Sequence, residues 1–161
     1  MSGISVILTG GTISRVGSKR ENLLNNNYIY GFLKDARLRF DVEIVDLCAM
    51  DSEDLVLQDS AFLMNAIRNA KYDRILITCG TDMMREIAQS VKKLVKNKFI
   101  LFTGAMTPLR HAHSDAQYHL ASSLTYLQTM QKKGVWICMH GRLFQPKWVE
   151  KDVENKHFIQ K

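Results

Sequence analysis

A chain of 161 residues has room for one domain with a real core, and its length argues against two. Its 46% hydrophobic and 24% charged residues are those of an ordinary soluble globular protein. The net charge of +6 comes from scattered lysines and arginines without interleaved aromatics, which argues against a nucleic-acid surface, and no stretch approaches the ~18 apolar residues of a membrane-crossing helix.

Met1-Ser2-Gly3 leads directly into the first apolar run, with no charged leader before it, so a cytoplasmic location is the default expectation. That run, a strand at residues 5–8, stops at Gly10 and Gly11, where the missing Cβ allows a sharp turn and close approach to a ligand. Thr12 follows with its hydroxyl free. Residues 14–30 are polar, contain glycine and Asn25-Asn26-Asn27, and lack periodicity; they read as a long irregular loop, a candidate lid. A second strand is expected at 42–45. Asp51-Ser52-Glu53-Asp54 then reads as a helix cap with acidic residues in the first turn, and Ala61, Leu63, Met64, Ile67 and Ala70 give the next helix an apolar face.

The pattern of a strand ending in small residues recurs twice. Residues 74–79 run into Gly80-Thr81-Asp82, and residues 99–103 into Gly104-Ala105-Met106. Between them Met84, Ile87, Ala88, Val91 and Leu94 mark a helix; Ala116, Leu120, Leu124 and Leu127 mark another before a fifth strand at 135–139. Strands alternating with helices predict a three-layer, Rossmann-like (doubly wound) α/β sandwich with a mainly parallel sheet, one domain over residues 1–161. Ligands of such sheets bind beyond the carboxyl ends of the strands, which is where Thr12, Thr81 and Ala105 fall. Cys48, Cys79 and Cys138 read as free thiols, and their spacing suggests no zinc site. His111 and His113 read as loop residues. No metal or cofactor is expected.

Thr9-Gly10-Gly11-Thr12-Ile13, Gly80-Thr81-Asp82-Met83-Met84, and Gly104-Ala105-Met106 followed by Ser114-Asp115-Ala116 resemble, in order and spacing, the signatures of the bacterial-type asparaginase/glutaminase family. Its members are much longer, and the expectation is that this chain matches their first domain, ending near Phe158 without the smaller C-terminal one. The resemblance implies a Thr81–Asp82–Lys151 relay with Thr12 opposite, Lys151 being reached by counting from Met139 through Pro146. It implies a catalytic tyrosine in a mobile lid at 14–30, with Tyr28 the first candidate and Tyr30 the second. Ser52 would donate to the substrate carboxylate, Glu53 would join Asp82 at the ammonium, and the Ala105 carbonyl would approach the scissile amide. Ser114 and Asp115 would shape the site from behind. The chain departs from the family in carrying Cys79, Met83 and His119 for its usual His, Thr and Asn, and Leu143–Lys147 for its Asp-Gly-Arg run.

A threonine hydroxyl is inert at neutral pH without an activating neighbour, and a lysine held among hydroxyls and partly desolvated can act as a base. The expected function is therefore hydrolysis of the side-chain amide of L-asparagine, a small amino-acid amide, to L-aspartate and ammonia by a threonine nucleophile. Which threonine attacks is left open. The alternative is a catalytically weak or silent domain that binds a small amino acid or serves as an interaction module. Apolar surface left uncovered by a missing second domain predicts a homodimer or higher homo-oligomer, with Trp148 and Phe158 as contacts.

Overall fold

The computed structural model describes residues 3–18, 20–58 and 60–161; Met1, Ser2, Lys19 and Asp59 lie outside the described residues. In chain order the elements are β1 (Ile4–Gly10), α1 (Asn27–Asp35), β2 (Val42–Met50), α2 (Ser52–Leu57), α3 (Ser60–Asn69), β3 (Arg74–Thr78), α4 (Met84–Leu94), β4 (Phe99–Thr103), α5 (Ala116–Thr129), β5 (Gly134–Met139), β6 (Arg142–Phe144), β7 (Val149–Asp152) and β8 (His157–Gln160). The described strands make a six-stranded sheet ordered β2-β1-β3-β4-β5-β6 and a separate β7–β8 hairpin. All pairings in the large sheet are parallel except β5 with β6.

Alternation along each strand sends its side chains into two cores. Ile7, Ile75, Ile77, Ile100 and Phe102 meet α2, α3 and α4 through Leu55, Ile67, Met84 and Val91. Val6, Leu8, Leu76 and Leu101 meet α1 and α5 through Ile29, Leu33, Leu120 and Leu127 on the opposite face. Strands covered on both faces need continuous apolar sequence, which is why β1, β3 and β4 are buried nearly throughout. The chain leaves β1 for α1 on one face and β3 for α4 on the other. Divergence of this kind opens a crevice at the carboxyl ends of those two neighbouring strands.

Three expectations change. Residues 14–30 are not uniformly irregular: Arg15 and Leu24 form an antiparallel bridge, Val16 N–H donates to the Leu23 carbonyl (2.9 Å), and α1 begins at Asn27. The second strand continues to Met50, bending around Gly10 where its register with β1 shifts. Phe158 is buried in the core and is no surface contact, whereas Trp148 is half-exposed.

Asn26 closes the base of the 15–24 hairpin. Buried, it accepts from Ser14 Oγ (2.7 Å) and donates to Asp46 Oδ1 (2.6 Å) and to the Cys48 carbonyl (3.0 Å). Replacing it by alanine orphans the buried Ser14 hydroxyl, at a cost of about 1–3 kcal/mol. Chemical denaturation should report that loss for Asn26→Ala, and amide exchange in residues 15–24 should accelerate.

Candidate active site

The crevice is set by backbone contact. Gly11 has φ +82°, and a Cβ there would stand 2.2 Å from the Gly80 amide nitrogen, so the turns after β1 and β3 touch directly. Thr9 Oγ1 donates to the Thr78 carbonyl (2.7 Å) and stitches the same strands. The turn after β4 is fixed from behind: both Asp115 oxygens accept backbone N–H groups, of Met106 (2.9 Å) and Thr107 (3.0 Å), and Leu109 N–H reaches the Ile13 carbonyl (3.2 Å).

These turns and the β7–β8 hairpin enclose a cavity of about 780 Å³ lined by Thr12, Thr81, Asp82, Ala105 and Lys151, among others. Lys151 reaches it by alternation. Val149, two residues earlier on β7, points into the core, and Phe158, directly opposite Lys151 on β8, is buried as well. Lys151 therefore faces inward. Its Nζ donates to Thr81 Oγ1 (2.7 Å) and to Asp82 Oδ1 (2.5 Å). The hydrogen bond from Lys151 holds the Asp82 carboxyl below its ordinary range against the opposing effect of burial; the Lys151 charge and a hydrogen bond with Glu53 act in the same direction.

The remaining expected residues are placed differently. Ser52 is buried, and its hydroxyl accepts Met83 N–H (3.1 Å), tying the start of α2 to the turn after β3. Asp51 precedes α2 without capping it by its side chain; it accepts from Asn22 Nδ2 (2.9 Å) and pairs with Arg15 (3.6 Å). Tyr28, half-exposed on α1, lines a separate cleft of about 540 Å³ with Asn27, Phe32, Asp35, Leu109 and Gln117. It and Tyr30 are absent from the cavity lining. The structure thus places the first tyrosine candidate apart from Thr12, because helix formation from Asn27 carries it away.

Sequence reading missed Arg15, Asn22, Arg110, His111 and Lys156 as cavity residues. Arg15 alone left a signal, standing one short helical turn after Thr12. Four of these five can carry positive charge, so the mouth favours an acidic ligand. Chemically, the cavity brings the Thr12 and Thr81 hydroxyls, the Lys151 ammonium and the Asp82 carboxylate around one space.

A family described as "Asparaginase, N-terminal" matches residues 3–157. A curated relative, the L-asparaginase of Thermococcus kodakarensis, is 30% identical over 89 residues, covering 53% of this chain and 27% of that protein. The solved structure of the thermostable L-asparaginase from Thermococcus kodakarensis superposes with a TM-score of 0.78 at 24% identity, covering 98% of this chain and 51% of that one. That of a probable cytoplasmic L-asparaginase from Campylobacter jejuni gives 0.76 at 23% identity, covering 94% and 50%. The chain spans about half the length of these structures and less of the curated relative.

Proposed function

This chain belongs to the asparaginase family by its N-terminal domain, and on that footing we propose that it is an amidohydrolase releasing ammonia from the side-chain amide of L-asparagine. The observation that carries the reading is the Lys151 ammonium, 2.7 Å from Thr81 Oγ1 and 2.5 Å from Asp82 Oδ1. That group faces the same cavity as Thr12 and Ala105.

In the proposed reaction Thr12 Oγ1 attacks the amide carbon, and its proton passes to the departing nitrogen. The C–N bond breaks, ammonia leaves, and an aspartyl ester remains on Thr12. Water then attacks that ester, handing a proton through Thr81 to Lys151 in its neutral amine form, and aspartate departs as that proton returns by way of Thr81 to Thr12 Oγ1. Asp82 keeps the lysine aimed at Thr81 throughout. The substrate ammonium is assigned to Asp82 and to Glu53 in the first turn of α2. The carboxylate is assigned to Ser52, and the Ala105 carbonyl faces the scissile amide. The 15–24 hairpin, with Arg15, Gly17, Ser18 and Asn22 on the cavity wall, is the segment proposed to cover bound substrate. A homo-oligomer remains proposed, with half-exposed Trp148 as its contact. Among the described residues no helix is long and apolar enough to cross a membrane.

The test is ammonia release from asparagine and glutamine. Hydrolysis by the native protein, falling by about 10²–10⁴-fold in Thr81→Ala, is the expected result for a lost acid–base partner. Aspartate binding without ammonia release would leave only the reading of a silent amino-acid-binding domain.

A further inference from the structure

His140 and Gly141 form the two-residue turn between β5 and β6, both with positive φ (55° and 70°). A turn of this kind favours asparagine or glycine at its first position. Here that position holds an imidazole packed against the β7–β8 hairpin, and its Nε2 accepts the Phe158 N–H at 3.1 Å. Phe158 is the residue paired with Lys151 across that hairpin. His119 from α5 and His157 from β8 stand edge-on to the ring, at 5.0 and 5.1 Å between centroids.

Taking Lys151 as the acid–base group proposed above, we infer that His140 is its positioning residue: the Nε2 lone pair holds the β8 amide opposite Lys151 and so sets where the ammonium stands against Thr81. Among the described residues the hairpin makes no hydrogen-bonded ladder with the large sheet, so its depth depends on a few attachments. Val149 and Phe158 anchor it by packing, which is non-directional. The His140 bond adds a direction, one residue pair away from the ammonium.

Acceptance at Nε2 requires a neutral ring carrying its proton on Nδ1. Burial, together with His119 and His157, pushes the His140 pKa down to about 4; Asp115, at the start of α5, pulls the other way. The ring is therefore an acceptor at neutral pH. Below about 4 it gains a proton at the atom that faces an N–H donor, and the bond to Phe158 is lost.

Two variants separate positioning from mere packing. His140→Leu fills the space without an acceptor, while His140→Gln offers a carbonyl oxygen that does not titrate. Limited acylation with an N-hydroxysuccinimide ester, read by peptide mass spectrometry, compares Lys151 with Lys98, which pairs with Asp73 far from the hairpin. Relative to Lys98, Lys151 should label up to about tenfold faster in His140→Leu, the factor one hydrogen bond accounts for, and at the native rate in His140→Gln. An unchanged rate in the leucine variant, or an equal rise in both, overturns the inference. If His140→Leu does not fold, the native protein decides. Its Phe158 amide nitrogen shift should titrate with a midpoint of about 4, and a flat shift overturns the inference. Neither readout needs turnover, so a protein that passes both but releases no ammonia loses the proposed reaction and keeps this one.

Discussion

Lys151→Met is expected to lower ammonia release from asparagine by about 10²–10⁴-fold, the range for removing a positioned acid–base group, with little change in melting temperature. The thioether keeps the length of the stem, so packing beside Val149 and Phe158 survives. What disappears is the donor to Thr81 Oγ1 and Asp82 Oδ1. Because Asp82 is more than half exposed, it rehydrates without a large stability penalty. The native pair also predicts a pH signature. Asp82 has a folded pKa lowered below its ordinary 3.8, so its contribution to stability is present above that value and is lost as pH falls through the lower, folded one. Lys151→Met should weaken this acid-side dependence, which a series of thermal melts at descending pH would detect. A variant with native turnover would remove Lys151 from the mechanism.

Gly11→Ala is expected to damage stability and activity together. Gly11 has φ +82° and ψ −174°, a region open essentially to glycine alone, and forcing another residue there costs about 1–3 kcal/mol. The added methyl would also meet Gly80 backbone at 2.2 Å, where no side chain can swing aside. The ends of β1 and β3 must separate, and Thr12 with them. A displacement near 1 Å at reacting groups costs about 10²-fold in rate, so hydrolysis should fall at least that far. At this chain length the strain corresponds to roughly 2–12 °C in melting temperature. Gly31→Ala is the control. A Cβ there meets nothing within 4 Å, and in the interior of α1 alanine is favoured by up to ~1 kcal/mol. Calorimetry and the ammonia assay on both variants check the pair; a tolerated Gly11→Ala would mean the two turns are not held in contact.

The elements that read most clearly from sequence are those whose surroundings are uniform. β1, β3, β4 and β5 are buried on both faces and declare themselves as apolar runs, and α4 and α5 carry an apolar stripe at helical spacing. The partly exposed second half of β2, the short β7 and β8, and α1, which begins inside an asparagine run, are not buried on both faces and carry no such clear run; tertiary contacts define them. Asn26 shows why. Its side chain leaves its own helix uncapped and reaches Asp46 and Cys48, about twenty residues on. The candidate site divides the same way. Thr12, Thr81 and Ala105 follow strand ends and could be placed from the strands. Tyr28 and Arg15 depended on how the 14–30 segment folds, which local composition does not determine.

The separation of the β7–β8 hairpin from the large sheet also bears on the order in which the protein matures. Every pairing of the large sheet lies between Ile4 and Phe144. During synthesis from the N-terminus, the strands of that sheet leave the ribosome before the hairpin does and can begin to assemble first. Thr12, Thr81 and Ala105 thus emerge before the ammonium that faces them. The ammonium arrives only when Phe158 has emerged to pair with Lys151 and meet His140. A nascent chain would thus begin to fold before it is armed.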